Sequence, residues 1–351
     1  MRVRLWRQNA TLESPLSAAR QLHHLRTRLF LEVEHEGVAG YGEVAPQPEA
    51  LNGDPGVQAV VDELTTFVMA QLVEIVKREG GLPSWSRVAR FAGPRDASNP
   101  AVALVEMALL DREMRLNATS IEQLWTPIYE TPVQATASLI SDAPWVIDEG
   151  VSRLRVKTHP GTPSASAIER LESIEIPVLL DLNCSASTDA EVVELVRAIS
   201  RVALVDAVEQ PFAPGNVIDH ARLAEQLDVA VSIDEGIRSP RDIDQVVRYR
   251  AARIVCVKPA RVGGLANARS MFARAAEMGL RPYLGGFFES PYARQVHRAL
   301  ARSAVNEPSD VGPVAVRPDG LAGEALLRNG SFGVIPDPQM LSDSTGVTLC
   351  D

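Results

Sequence analysis

From about residue 130, short apolar runs alternate with helical stretches at a steady spacing, and this alternation constrains the fold more than any other feature. Eight such units, each of about 25 residues, are what a parallel barrel needs. The apolar runs are PVQATASLI (132–140), RLRVKTH (153–159), PVLLDLN (177–183), ALVDAVEQP (203–211), VAVSIDEG (229–236), RIVCVKPAR (253–261), RPYLGGFFE (281–289) and SDVGPVAV (309–316). An open doubly wound sheet is the alternative, but it more often has fewer strands and a glycine-rich first turn, which the chain lacks. We therefore predict an α/β protein built on a (β/α) barrel.

The beginning of the chain has a different pattern. Residues 1–50 hold three strand-like runs, and the turn signal HEG predicts a hairpin between the last two. Residues 54–125 have helical periodicity instead. The predicted organisation is an α+β capping domain over residues 1–128, a barrel over 129–324, and a returning segment, 325–351, that completes the capping domain.

Composition narrows the class of protein. The chain has 351 residues, of which 46% are hydrophobic and 23% charged, as in ordinary globular proteins. Its net charge of −10 argues against a nucleic-acid partner. The three cysteines form no CxxC pair, the start lacks the apolar core of a signal peptide, and no run approaches the roughly 18 apolar residues of a membrane helix. We therefore expect a cytoplasmic protein without a membrane partner, either a monomer or a homo-oligomer.

Ionisable residues stand at the ends of five consecutive predicted strands. Lys157, Asp181, Glu209, Asp234 and Lys258 follow one another at intervals of 24 to 28 residues, so each has the equivalent place in its own unit. Because the carboxyl ends of barrel strands surround one mouth, we expect these five side chains to meet there. A single acid at such a position is more often a helix N-cap, but five residues in register make that explanation poor.

The predicted cluster has a definite chemistry. Three acids on neighbouring strands repel one another unless a cation lies among them. Oxygen ligands without histidine or cysteine suit a hard divalent ion, Mg²⁺ before Mn²⁺. The flanking lysines would lie on opposite sides of the mouth. This set predicts removal of the proton next to a metal-bound carboxylate: the ion stabilises the enediolate, one lysine takes the proton, and the other acts from the opposite face.

Further polar residues accompany these five. Arg153, Arg155 and Lys157 alternate with apolar residues, so they share one face of a strand, and Arg155 and Lys157 are expected to point into the mouth. Residues that would support the ligands or contact the substrate are Asn183, Gln210 and Glu235.

With these residues identified, the sequence resembles the enolase superfamily, in particular the o-succinylbenzoate synthase and N-acylamino acid racemase branch of its muconate-lactonising subgroup. GYGEVAP (40–46) is similar to the Gly-aromatic-Gly-Glu turn of the capping domain, and LVEMALLDREMRLNATSIEQLW to the helix that leads into the barrel. The motifs that resemble successive barrel strands are DLN (181–183), VEQPF (208–212), SIDEG (232–236), VKPARVGG (257–264) and GGFFES (285–290).

The resemblance implies a TIM-like barrel of the modified (β/α)7β type with an α+β capping domain. It implies that Asp181, Glu209 and Asp234 bind Mg²⁺ and that Lys157 and Lys258 form the acid/base pair. It also implies that Glu235 and the turn containing Gly286 and Glu289 lie near the site.

Two positions depart from the family pattern. The family pairs two lysines as Lys-x-Lys on the second barrel strand, whereas here the first is Arg155, to which only an electrostatic role transfers because arginine does not shuttle protons. Residues 12–30, where family members carry a short apolar specificity loop, are polar and basic here. Together with residues 46–56 they are the predicted lid. Arg26 and Arg28 in this lid suggest a second anionic group on the substrate, with surface arginines on a strand edge as the alternative.

The reaction implied first is that of o-succinylbenzoate synthase. Lys157 would remove the proton α to the substrate carboxylate, a hydroxyl would leave as water, and Lys258 would lie opposite as a cation. Racemisation of an N-acylamino acid, or another cycloisomerase or epimerase reaction, needs the same groups, and the sequence does not separate them. A barrel that binds a small carboxylate without turnover is the alternative of another class.

Overall fold

The computed structural model describes residues 1–18, 21–91, 99–130, 132–140, 145, 147, 149–312 and 347–350. For residues 10–18, 21–25 and 347–350 the description covers the backbone only. Among the helices of this described part, none is both long enough and apolar enough to cross a membrane.

An antiparallel sheet of four strands forms the first layer. Its order is β11–β1–β2–β3, so the last described strand pairs with the first. The hairpin predicted from HEG is present, since Glu36 (φ 55°) and Gly37 (φ 76°) form a two-residue turn with both φ angles positive. The strands are β1 (Arg2–Ala18), β2 (Gln21–His35), β3 (Val38–Val44) and β11 (Val347–Cys350).

Helices pack on this sheet and connect it to the barrel. The longest, α4, is buried along most of its length because it lies against β3 on one side and contacts the short helix Pro259–Val262 of the barrel layer on another. Gly40 and Gly42 permit this contact, since a Cβ at either position would collide with the α4 backbone at Ala108 or Leu104. The helices are α1 (Val57–Glu63), continued through a π-helical turn (Leu64–Val68) into α2 (Met69–Glu79), then α3 (Trp85–Val88), α4 (Pro100–Asn117) and α5 (Ile121–Leu124).

The second sheet is parallel, and its strands follow one another in chain order. The order β4 to β10 has no reversal, which excludes the doubly wound alternative and confirms the predicted barrel class. The strands are β4 (Val133–Ser138), β5 (Val151–Lys157), β6 (Val178–Asp181), β7 (Val205–Glu209), β8 (Ala230–Ile233), β9 (Ile254–Val257) and β10 (Arg281–Leu284).

Helices between these strands begin at recognisable sequence signals. Thr188 and Glu191 form a reciprocal capping box at the start of α7, and Ser239 and Asp242 form another at the start of α9. The barrel helices are α6 (Ala165–Glu172), α7 (Asp189–Ile199), α8 (Val217–Ala224), α9 (Pro240–Tyr249), α10 (Pro259–Val262), α11 (Leu265–Glu277) and α12 (Pro291–Ala304).

In the described residues, the eighth position of the barrel is held by a single bridge at Ser309. Ser309 makes a parallel bridge to Val133 on β4, and the Asp310 amide donates to the Leu284 carbonyl of β10 at 2.8 Å. The segment therefore joins the first and last strands through a single bridge, and the predicted eighth strand over 309–316 is wrong for its described part. Residues 313–316 lie outside the described residues.

Along β5, successive side chains point to opposite sides of the sheet. Leu154 and Val156 point outward into the large core between the sheet and its helices. Arg153, Arg155 and Lys157 share the opposite face, as predicted, and point into the barrel. Arg153 stacks 5.0 Å above the ring of Tyr283, which belongs to a small interior cluster with Leu179, Ala207, Ala230, Ile254 and Cys256.

Candidate active site

The five ionisable residues predicted from their spacing lie at one mouth of the barrel. Lys157, Asp181 and Glu209 are the last residues of β5, β6 and β7 and stand in register across the sheet. Asp234 and Lys258 directly follow β8 and β9. The three acids are fully buried, and the two lysines are only 5% and 6% exposed. The structure thus brings all five together in a site from which bulk water is largely excluded.

Arg155 occupies the centre of the acidic group. Its Nη2 atom lies 2.8 Å from Asp181 Oδ2 and 3.3 Å from Asp234 Oδ2, and it donates to Glu209 Oε1. The three carboxylates therefore converge on one cationic nitrogen. These carboxylates raise the pKa of Arg155 despite burial, which by itself would lower it.

Glu209 is held on both of its oxygens. While Oε1 accepts from Arg155, Oε2 accepts from Ser232 Oγ at 3.0 Å and from the Tyr283 hydroxyl. Burial raises the pKa of Glu209, and the nearby Arg155 only partly offsets that rise. Sequence reasoning missed both hydroxyl donors. The inward face of β10, set by the alternation of its residues, was the only available signal for Tyr283.

The two lysines contact different acids. Lys157 Nζ lies 2.9 Å from both Asp181 Oδ2 and Asn183 Oδ1. Lys258 Nζ lies 2.8 Å from Asp234 Oδ2 and 4.6 Å from the centre of the Phe287 ring. Because β5 and β9 are four positions apart in the strand order, the lysines face the centre from opposite sides.

Asp234 is the most strongly paired of the acids. Besides Lys258 and Arg155, it receives Arg261, whose Nη1 lies 2.6 Å from Oδ1. Burial raises the pKa of Asp234, but Lys258 and the two arginines outweigh burial and hold this pKa well below its usual range. Arg261 also donates to both oxygens of Asp54, at 2.9 and 2.7 Å, so it links Asp234 to the capping domain.

Gln210 fixes the backbone that carries Asp234. Its Oε1 accepts from the amides of Asp234 at 3.0 Å and Gly236 at 3.1 Å, and its Nε2 donates to the Phe212 carbonyl at 2.8 Å. Buried His220 contacts the same Nε2 at 3.4 Å. The sequence identified Gln210 as a supporting residue but gave no signal for His220.

Non-glycine residues at the mouth adopt left-handed backbone conformations. The φ angles are 43° at Asn183, 37° at Gln210 and 68° at Phe288. Such conformations cost free energy and persist where the surrounding contacts enforce them. Their location at three strand ends of the same mouth is consistent with a functional site.

Glu235 and Asn183 lie beside the acids, as predicted. Asn183 Nδ2 and Asn52 Nδ2 each lie 3.4 Å from Glu235 Oε1, and within the described residues no donor reaches Oε2. Burial raises the pKa of Glu235 to about 7, and the neighbouring Asp234 and Asp181 add to that rise. Gly286 lines the cavity at the mouth. Glu289 instead accepts from the Phe287 amide at 2.9 Å and does not line that cavity.

The predicted lid divides into two parts. Within residues 46–56, Leu51 and Asn52 reach over the cavity, while Arg238 ties the loop to the barrel through the Asn52 carbonyl at 2.8 Å. In the other part, β1 continues to Ala18 and β2 begins at Gln21. This part of the predicted lid is therefore a two-stranded ribbon, and its role as a lid stays a prediction.

The two arginines of the predicted lid differ. Arg28 Nε donates to the Phe288 carbonyl at 3.3 Å. Arg26 lines the cavity, lies 5.0 Å above the Phe288 ring and donates through Nη1 to Gln47 at 2.5 Å. It is 4% exposed, and no acceptor among the described residues reaches its Nε.

The donors at the centre fit a hard divalent cation in their chemistry. Three buried carboxylates, without histidine or cysteine, direct oxygens at one point. In the described ranges, no three acidic, histidine or cysteine side chains form a metal shell by themselves, and Arg155 stands between the acids. The residues that would hold Mg²⁺ or Mn²⁺ are therefore Asp181, Glu209 and Asp234.

Comparison with known proteins gives a consistent result. A family model described as "Enolase C-terminal domain-like" matches residues 139–333, more than half of the chain. An o-succinylbenzoate synthase from Enterococcus faecalis is 29% identical over 333 residues, covering 92% of this chain and 87% of the relative. An N-succinylamino acid racemase from Thermus thermophilus is 26% identical over 329 residues, covering 90% and 85%.

Solved structures share the fold. An N-succinyl Arg/Lys racemase from Bacillus cereus superposes with a TM-score of 0.78 at 17% identity, and 99% of each chain is covered. An enolase-superfamily member from Enterococcus faecalis superposes with a TM-score of 0.77 at 19% identity, covering 99% of this chain and 98% of the other. At these identities the similarity establishes the architecture, a barrel with a capping domain.

Proposed function

The chain belongs to the enolase C-terminal domain-like family, and from that premise we propose that it removes the proton α to a carboxylate, with dehydration to o-succinylbenzoate as its first candidate reaction. The observation that carries this proposal is the pair Lys157 and Lys258, buried on opposite sides of a centre formed by three acids. The names of the relatives, o-succinylbenzoate synthase and N-succinylamino acid racemase, support an enzyme of this branch.

In the proposed reaction, Asp181, Glu209 and Asp234 hold a divalent ion, which when bound supplies positive charge against the negative charge that develops on the substrate carboxylate. Lys157 takes the α-proton onto Nζ, and Asp181 and Asn183 orient that nitrogen through their bonds of 2.9 Å. Lys157 then gives this proton to the departing hydroxyl, so the substrate loses one molecule of water and Lys157 returns to its neutral form.

Lys258 and the loop over the mouth complete the proposed site. Asp234 raises the pKa of Lys258 although burial lowers it, so Lys258 stays a cation opposite Lys157 during dehydration. Leu51 and Asn52 cover the mouth from the capping domain and limit the entry of water.

Racemisation of an N-acylamino acid is the second candidate reaction. The observation that favours it is the symmetry of the two lysines, which are equally buried and each bonded to one acid. Either lysine can then take a proton from one face while the other returns a proton to the opposite face.

A direct assay separates these reactions. Purified protein with Mg²⁺ is incubated with the cyclohexadiene precursor of o-succinylbenzoate and, separately, with each enantiomer of an N-succinylamino acid. Formation of the aromatic product supports dehydration, and inversion without it supports racemisation. Absence of both reactions, with no Mg²⁺ or Mn²⁺ binding in calorimetry, would favour a barrel that only binds carboxylates.

A further inference from the structure

All six oxygens of the three proposed ligand carboxylates already accept hydrogen bonds from the protein. Asp181 Oδ1 accepts from the Asn183 amide at 3.1 Å, and Oδ2 accepts from Lys157 and contacts Arg155. Both oxygens of Glu209 are bonded, as described above. Asp234 presents Oδ1 to Arg261 and Oδ2 to Lys258 and Arg155. A divalent ion that takes the point on which the three carboxylates converge would therefore meet the Arg155 guanidinium there.

The charges at the centre are also balanced by the protein itself. The three carboxylates are contacted by four cationic side chains, namely Arg155, Lys157, Lys258 and Arg261. Lys157, Lys258 and Arg261 each contact one of the three, whereas Arg155 contacts all of them. The arginine thus does what an ion would do, which is to offset the mutual repulsion of the three acids.

We propose that Arg155 is a resident cation of this centre and competes with the divalent ion for the three carboxylates, so that it weakens ion binding and stabilises the ion-free protein. This inference rests on the proposed function, because the ligands of the ion are the same acids. Arg155 Nε has no acceptor among the described residues, so the guanidinium is held mainly by these carboxylates. When an ion enters, Arg155 therefore has fewer contacts outside the three carboxylates to lose than the other cations have.

Replacing Arg155 by lysine isolates this role. Lysine keeps the positive charge but has a shorter side chain with a compact ammonium group, so it contacts three separate carboxylates less completely than the guanidinium does. Arg153→Lys is the matched control. Arg153 lies on the same face of the same strand and is 1% exposed, but it donates to Gln134 and Asp206 rather than to the three acids.

The experiment measures Mg²⁺ affinity by calorimetry, and the melting temperature with EDTA and with millimolar Mg²⁺, for the wild type and both variants. Arg155→Lys should bind Mg²⁺ about tenfold more tightly than the wild type, the change that about 1.4 kcal/mol of binding free energy produces. It should also melt lower in EDTA and gain more from Mg²⁺ than the wild type gains. Arg153→Lys should keep the wild-type affinity.

The outcomes separate the failure of this inference from that of the proposed function. Equal or weaker Mg²⁺ binding by Arg155→Lys, with the wild type binding the ion, refutes the competition and leaves the metal site standing. No binding by any of the three proteins refutes the metal site as well. If Arg155→Lys folds only with Mg²⁺, the ion has replaced the guanidinium and the inference holds, whereas a variant unfolded with and without Mg²⁺ contradicts it.

Discussion

Arg153 and Arg155 lie on the same face of one strand, and both are buried inside the barrel, but their surroundings differ. At the N-terminal end of β5, called the lower end below, each of the three guanidinium nitrogens of Arg153 donates a hydrogen bond. The acceptors are Gln134, Asp206 and the Pro308 carbonyl. Its charged partners Asp206 and Glu307 remain 23% and 19% exposed. This arrangement gives each guanidinium nitrogen of Arg153 a partner, keeps contact with water and links β5 to β4, β7 and Pro308.

At the C-terminal end of β5, called the upper end below, Arg155 contacts three acids that are completely buried. Gathering like charges away from water costs free energy that a folding requirement does not explain, since apolar residues of similar volume often stabilise a core as well or better. A buried arginine by itself therefore indicates nothing about function. A cluster of fully buried acids around the arginine does, because such a cluster persists where it is used.

The largest effect in this comparison is expected for Asp234→Asn. It removes a charge shared by Arg155, Lys258 and Arg261 and a proposed ligand of the ion. Exchange of the α-proton with deuterium, followed by NMR on both enantiomers, should fall by about three powers of ten or more, because metal stabilisation is worth several kcal/mol. Asp206→Asn, at the lower end, is the control and should leave exchange unchanged. Substantial exchange by Asp234→Asn would remove the distinction between the two ends.

Replacing each lysine should separate the two faces of the upper end. Lys157→Ala is expected to slow exchange from one enantiomer by about 10²- to 10⁴-fold, and Lys258→Ala from the other, since each lysine serves one face. Circular dichroism should show an intact fold for both variants, because each lysine lies at the end of a strand and not in the core between the sheet and its helices. Loss of exchange from the same enantiomer in both variants would contradict the opposed placement.

At the lower end the order of effects should be reversed. Arg153→Ala leaves Asp206 and the Pro308 carbonyl without a buried donor, so urea unfolding should show a loss of about 3 kcal/mol in unfolding free energy. Exchange rates per folded molecule should stay within about a factor of two, since the arginine bonds to none of the three acids or two lysines of the proposed centre. If exchange instead falls as it does for the lysine variants, the lower end takes part in the chemistry and the contrast is broken.

Glu106 is a buried acid whose surroundings differ from those at both ends of β5. Its carboxylate accepts hydrogen bonds from backbone amides and not from cationic side chains. It is fully buried on α4 and accepts from the Leu265 and Ala266 amides at the start of α11. Burial raises its pKa to about 8, only partly offset by these amides. The folded state therefore holds this proton more tightly than the unfolded state, where the pKa is about 4.5.

The expected pH dependence follows from that sign. The contribution of Glu106 to stability is greatest below about pH 4.5 and is lost as the pH rises towards 8, with a slope of at most about 1.4 kcal/mol per pH unit. Glu106→Gln, which keeps an acceptor for the two amides, should flatten this part of the curve of unfolding free energy against pH. The exposed Glu194→Gln on α7 is the control, and an equal change in both variants would assign the slope to net charge instead.

The positions of the central residues could be predicted from the sequence because a barrel repeats its geometry. Lys157, Asp181 and Glu209 end successive strands, and equal spacing in the chain becomes register across the sheet. The hairpin before β3 was predictable for a local reason, the turn chemistry of HEG.

What the sequence could not predict depends on contacts between distant segments. Tyr283 reaches Glu209 across 74 residues of chain, and Arg261 joins Asp54 to Asp234 across 207 and 27 residues. The central place of Arg155 depends on its contacts with acids at the ends of three other strands. The full length of β1 and β2 could not be predicted either, because only the pairing between the two strands decides how far they extend.

The smallest expected effect concerns Arg26, a buried arginine of the capping domain that resembles neither Arg153 nor Arg155. It stacks on Phe288 and lines the cavity, yet its Nε has no acceptor among the described residues. An acidic group on the substrate would supply one, as a succinyl chain does, since a buried unpaired donor is costly and a charged acceptor removes that cost.

Arg26→Gln should raise the KM for a succinyl-bearing substrate by about tenfold, equivalent to about 1.4 kcal/mol of binding free energy, with little change in kcat. The KM for a substrate whose acyl group lacks the second carboxylate should not change, and Arg26→Lys should recover part of the loss. If the KM rises equally for both substrates, Arg26 shapes the cavity and does not bind a second carboxylate. The lack of an acceptor at its Nε then results from its packing beside Phe288.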